Sequence, residues 1–128
     1  MKAATRDWIE KAEADYLAAV DLARRRKRPL HDLVCFHCQQ SAEKYLKARL
    51  EEGSVNFPKT HDLENLLALL LPLGPQWAAL TAATKRLKPF GVVIRYPGND
   101  ATKTQARQAM ADCKAIRSEA RLSLGLRV

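Results

Sequence analysis

The chain has 128 residues, enough for one domain whose core needs no covalent staples. Hydrophobic residues at 47% and charged residues at 28% describe a globular protein, and no segment approaches the roughly 18 uninterrupted apolar residues of a membrane span. Lys and Arg number 22 against 14 Asp and Glu, a formal charge of +8 that favours polyanionic partners: nucleic acid, nucleotide phosphates or an acidic protein.

Three cysteines without framework spacing point to a reducing compartment. The start, Met1 to Asp7, leads into amphipathic helix with no signal-like apolar block, so a cytoplasmic location is expected.

The first predicted helix runs from about Thr5 to Arg26, with Trp8, Ile9, Ala12, Tyr16, Ala19, Val20 and Ala23 on one face and Pro29 closing it. The second spans about Leu30 to Glu52, with Gly53 suited to its C-terminal cap. On a helical wheel Val34, Cys35, Cys38, Ala42, Tyr45, Leu46 and Leu50 share one arc, the side a core would use. His37, Gln40, Lys44 and Lys47 fall opposite, with the aromatic Phe36 among them, which suggests a second surface that meets a ligand or a second copy.

Thr60 reads as the N-cap of a third helix from Leu63 to Leu71, with Asp62 in its first turn. Pro72-Leu73-Gly74-Pro75 interrupts that helix, which resumes from Gln76 to Leu87. Pro89 to Pro97 is expected to be irregular or extended, since the Val92-Val93-Ile94 run has no partner strand. The last helix covers about Ala101 to Leu124, with Ala106, Met110, Cys113, Ala120 and Leu124 facing inward. The fold expected for residues 1–128 is a single all-α domain, an up-down four-helix bundle with an interrupted third helix.

Up-down topology sorts the connections by end. The Arg24-Arg25-Arg26-Lys27-Arg28 run shares an end with Arg95-Tyr96-Pro97-Gly98-Asn99-Asp100, with the start of the second helix, and with the N-terminus of the last, whose amides suit a phosphate. Thr60-His61-Asp62 falls at the opposite end. A binding site for nucleotide or RNA phosphate is therefore expected from Arg26, Arg28, Arg95, Tyr96 and Asn99, joined by His37, Gln40 and Lys44 on the second helix. Arg95 would contact phosphate and Tyr96 would offer a stacking platform. Tyr96 has a plainer role open to it, as a plug for the end of the bundle, with Pro97 stiffening the turn. Lys103, Arg107, Lys114 and Arg121 form a stripe on the last helix, either a track for a phosphate backbone or a solvated face. Cys35 and Cys38 lie on the core arc, so their C-x-x-C spacing reads as packing, and neither metal nor cofactor is expected.

The run Phe36-His37-Cys38-Gln39-Gln40-Ser41-Ala42-Glu43-Lys44-Tyr45-Leu46-Lys47 and its continuation to Leu50, then Phe57-Pro58-Lys59-Thr60-His61-Asp62-Leu63, then Arg95-Tyr96-Pro97, occur in the order and spacing of the HEPN domain. The chain resembles that family, named for higher eukaryotes and prokaryotes nucleotide-binding, from Trp8-Ile9-Glu10-Lys11-Ala12-Glu13 to the final helix. Ribonucleases of the family resemble one another in an Arg-x(4–6)-His motif at the start of the last helix, where a cation stabilises phosphate charge and an imidazole moves the ribose hydroxyl proton. Here Arg95 stands in the expected region, but Asp100, Ala101 and Thr102 occupy the histidine's place. Arg24, Arg25 and Arg26 all precede His31 at permitted spacings, in the first connection, where five basic residues in a row favour coincidence.

The resemblance thus implies a binding module: a homodimer that holds nucleotide or RNA phosphate and works with a separate minimal nucleotidyltransferase, as in a toxin–antitoxin pair. The alternatives are a metal-independent ribonuclease toxin using Arg95 with His37, or less plausibly His31, and a scaffold that serves oligomerisation alone.

Overall fold

In the computed structural model, which describes residues 1–92 and 96–128, the second helix is the axis of the molecule. This helix, α2 (His31–Glu52), is packed against α1 (Ala3–Ala23), α3 (Leu63–Leu70), α4 (Thr81–Leu87) and α5 (Lys103–Ser123). Short 3-10 segments at Leu71–Leu73, Pro75–Leu80 and Lys88–Gly91 join α3 to α4 and carry the chain onward. The fold is an all-helical bundle, with no strand among the described residues, and α3 and α4 together form the broken third member. The break falls at Pro72 and Pro75, whose nitrogens donate no hydrogen bond to a preceding turn.

Helix limits follow local chemistry. α5 opens on a capping box: Gln105 N donates to the Thr102 hydroxyl at 3.1 Å, and Thr102 N donates to the Gln105 side chain at 2.8 Å. The N-cap of α3 is Asp62, not Thr60; its carboxylate accepts from the amides of Glu64 and Asn65. A carboxylate there both accepts and complements the helix dipole, and so outcompetes the hydroxyl two residues earlier. Gly53 is the C-cap of α2, yet Ser54 is the residue in the left-handed region, at φ 55°. Ser54 N reaches Glu51 O, and Val55 N reaches Leu50 O, the paired bonds of a Schellman ending. Lys2 bridges to this turn, donating to Glu51 O and to the Ser54 hydroxyl, and fixes the start of α1 beside the end of α2.

All seven residues of the apolar arc on α2 are buried. The opposite face is not free. His37, Gln40 and Lys44 are half-buried and Lys47 is buried, because α1 covers it, and Gln39, Ser41 and Glu43 are buried as well. The connection 53–62 climbs beside α2, so His61 lies next to Gln39 and Glu43 near the helix middle rather than at the far end. Its carbonyl accepts from Gln39 Nε2 at 3.2 Å, and its Nδ1 sits 2.8 Å from Glu43 Oε1. Glu43 also pairs with Lys47 at 3.1 Å, and the Lys47 ammonium lies 5.3 Å from the Trp8 ring centroid. Gly91 makes its own close approach here: a Cβ would lie 2.9 Å from the Gln39 amide carbon.

A second polar lock ties α1, α2 and α5. Arg117 grips the Glu13 carboxylate through two bonds of 2.8 Å, Tyr45 donates its hydroxyl to Glu13 at 2.5 Å, and Arg121 donates to the Tyr45 oxygen at 3.1 Å. Arg117 also lies 4.4 Å from the Tyr16 ring centroid. The Arg117 guanidinium holds the Glu13 carboxyl below its usual range, against the opposing effect of partial burial. Burial first, and Glu13 second, push the Tyr45 phenol up to about 12.

A carboxyl with a lowered folded-state pKa stabilises the fold at neutral pH and loses that contribution as pH falls through the lowered value. Glu13→Gln is expected to cost about 1–2 kcal/mol at neutral pH. In thermal unfolding across pH, the gap between parent and Glu13→Gln should narrow below about pH 4. A gap that stays constant from about pH 7 to about pH 3 would mean that the carboxylate's charge does not matter.

Candidate phosphate-binding cleft

Three helix ends and one connection meet at one end of the bundle. α1 ends at Ala23, and Arg24, Arg25 and Arg26 follow it directly; the connection turns at Arg28, at φ 49°, and Pro29; α2 then begins at His31. Lys103 and Arg107 on the first turns of α5 face this group. Together they line a cleft of about 570 Å³ whose floor is formed by Leu22, Ala23, Val34, Ala106 and Met110. Arg25 Nε donates to Arg28 O at 3.4 Å, bracing the turn. Among the described residues none of the five cations of the cleft is paired with a carboxylate.

His31 also borders a second hollow of about 390 Å³, with Leu30, Asp32, Leu33, Asp100 and Ala101. There the Asp32 carboxylate accepts from Ala101 N at 2.6 Å. At the start of α5 the Gln105 amide is bonded to its N-cap, while the Ala101 and Thr102 amides, just before the helix, are held by Asp32 and Gln105. The Asp32 carboxylate therefore stands at the approach to α5, and the cleft's positive charge is carried by side chains.

The anticipated site residues divide. Arg26 lines the cleft, and Arg28 is exposed in the turn behind it. Tyr96 is 62% exposed, so it does not plug the bundle end, and its carbonyl accepts from Asn99 N at 3.3 Å. Arg95 lies outside the described residues, as do Val93 and Ile94 of the segment expected to be extended. His37, Gln40 and Lys44 are not in the cleft. His37 Nδ1 sits 2.8 Å from Asp15 Oδ1, Lys44 Nζ is 2.5 Å from Asp15 Oδ2, and Gln40 donates to Gln39. His37 and Lys44 bind α1 to α2, since a carboxylate placed between two packed helices requires donors, while the Gln40 bond stays within α2. The Phe36 ring meets His37 edge-on at 5.4 Å between centroids.

Reasoning from sequence placed the start of the last helix at this end but did not assign the Lys103 and Arg107 side chains to the site. Lys103 and Arg107 were visible as the start of a stripe, but the stripe does not act as one surface. Arg121 is engaged by Tyr45 and the Arg127 carbonyl, and Lys114 stands exposed beyond the cleft. Their facing of Arg24–Arg26 was the signal, and it depends on how α1 and α5 sit across α2. The thiols of Cys35, Cys38 and Cys113 are buried. Burial, with Asp32 second, pushes the Cys35 thiol up to about 11. The Cys38 thiol contacts Met110 Sδ at 3.3 Å and is raised by its hydrogen bond to Cys113 and by burial. No group of three His, Cys, Asp or Glu side chains suited to a metal occurs among the described residues.

Residues 5–122 match the model of the HEPN domain. The chain belongs to the HEPN family. Among solved structures it is similar to TT1696 from Thermus thermophilus, at 25% identity and a TM-score of 0.72, covering 93% of this chain and 97% of that one. No curated protein matches the chain. Membership makes the protein a nucleotide- or RNA-related module of the HEPN superfamily, and no helix among its described residues is long and apolar enough to cross a membrane.

Because His37 serves the α1–α2 contact, His37→Ala is expected to lower stability by about 1 kcal/mol and to leave phosphate-ligand affinity unchanged. Denaturant titration alongside binding of a labelled RNA checks both. A variant of unaltered stability that no longer binds RNA would return His37 to the site.

Proposed function

We propose that the cleft at the α1–α2 turn binds the phosphates of a nucleotide or of RNA. In this reading the chain acts as a homodimeric HEPN module beside a separate minimal nucleotidyltransferase, in a toxin–antitoxin-like pair. One observation carries the reading: Arg24, Arg25, Arg26, Lys103 and Arg107 converge on a single concavity without a carboxylate among them. Guanidinium groups suit phosphate because their paired N–H donors match two of its oxygens. Like charges held together are costly until an anion joins them, so such a cluster gains most from a polyanion. The dimer is supported by Leu33, 43% exposed, and by the half-buried Phe36 three residues later on α2, an apolar patch beside the cleft. The partner enzyme rests on the family resemblance.

A second reading, ribonuclease activity, gains support from His31 rather than His37. His31 lines the same cleft as the three arginines that precede it at the family's motif spacing. An imidazole there could take the 2′-hydroxyl proton while guanidinium groups hold the phosphate.

Replacing Arg24, Arg25 and Arg26 together by Gln is expected to weaken binding of a labelled single-stranded RNA on the order of 100-fold at low salt and to flatten its salt dependence. Fluorescence anisotropy measures this, and a triple variant that binds like the parent removes the cleft from consideration. Gel analysis of the RNA from the same mixtures tests cleavage: products made by the parent and lost in His31→Ala support the nuclease, and intact RNA throughout excludes it. Light scattering at tens of micromolar should return twice the 14.4 kDa chain mass, and a monomer would end the dimer proposal.

A further inference from the structure

We infer that the cleft takes a compact, multiply charged end group, a nucleoside 5′-triphosphate moiety, in preference to the interior of a nucleic-acid strand. This rests on the reading of the cleft as a phosphate site and asks which phosphate ligand it fits. The first observation is shape. A strand interior spreads one charge per nucleotide along a path and calls for a track of cations. Here the cations converge instead. Lys103 and Arg107 turn into the cleft, Lys114 stands exposed outside it, and Arg121 is spent on Tyr45 and on the Arg127 carbonyl. The stripe along α5 is thus broken after its second member.

The second observation is charge density. Four guanidinium groups and an ammonium border about 570 Å³. A single phosphodiester offers them one negative charge, whereas a triphosphate offers about four within the same reach. The third is the floor, where Val34, Ala106 and Met110 supply apolar atoms over which a base or ribose would lie. Among the described residues no carboxylate and, His31 apart, no aromatic ring lines the cleft. Size is consistent with a single nucleotide, since pockets for small ligands span about 300–1,000 Å³. A free nucleoside triphosphate and the 5′-triphosphate end of an RNA present the same group.

Isothermal titration of the full chain with ATP, AMP and inorganic tripolyphosphate tests the inference, with EDTA present. ATP should bind at least roughly 10-fold tighter than AMP, on charge, and about 3-fold or more tighter than tripolyphosphate, on apolar contact. Lys103→Gln with Arg107→Gln should reduce ATP affinity roughly 10-fold, while Lys114→Gln should not. A matched pair of RNAs, one with a 5′-triphosphate and one with a 5′-hydroxyl, separates the two sources. Tighter binding of the first assigns the RNA end; ATP binding with no difference between the RNAs assigns the free nucleotide. Equal affinity for ATP and AMP overturns the inference. So does binding of the 5′-hydroxyl RNA through the same arginines with no competition from ATP, an outcome that leaves the phosphate-binding reading standing. Failure of every probe to bind ends both.

Discussion

Desolvation of α2 is the constraint to which the rest of this bundle answers. A 22-residue helix enclosed by four others carries Gln39, Glu43 and Lys47 into surroundings where an unpaired charge would cost several kcal/mol. Each therefore has a partner, and the partners dictate the paths of the connections. Glu43 draws His61 and Lys47; Gln39 meets the His61 carbonyl and the close face of Gly91. Asp15, offered by α1, draws His37 and Lys44. The connection before α3 runs beside α2 because these groups have to be satisfied, and apolar packing then follows on the other faces.

That constraint explains what was legible in the sequence and what was not. Helix number, the break at Pro72 and Pro75, and the apolar arc from Val34 to Leu50 depend on local periodicity and on residues with fixed backbone habits. Such features survive without knowledge of neighbours. The polar arc His37, Gln40, Lys44 and Lys47 looks on a wheel like a face for a ligand, because a wheel shows direction and not what stands there. Asp15 and Trp8, brought up by α1, and Gln39 and Glu43 on α2 itself turn those donors into internal contacts. The left-handed Ser54 beside an available Gly53 belongs to the same class: Lys2, far away in sequence, anchors that turn through the serine hydroxyl.

The cleft was half legible. The basic run after α1 is conspicuous in the sequence, and topology assigned it to the end shared by the first turn of α5. What could not be read was the division of labour among the α5 cations. Two residues four apart face the run, and two others a few turns on are consumed by Glu13 and Tyr45. Glu13 takes part in this. Its grip on Arg117, with the Arg86–Asp112 pair and the buried apolar face of α5, sets which side of α5 is turned toward Arg24–Arg26.

The Asp32–Ala101 bond carries one more implication. It stitches the opening turn of α2 to the approach to α5 and leaves Asp32 and Asp100 bordering one hollow, with the arginines bordering the next and His31 between them. Two adjoining chambers of opposite sign make an electrical gradient a few ångströms long. A guest bridging them would have a built-in polarity, its anionic terminus drawn to one chamber and any ammonium or amino group to the other. The bundle end would then act as a compass needle's housing, admitting an elongated molecule in one sense only.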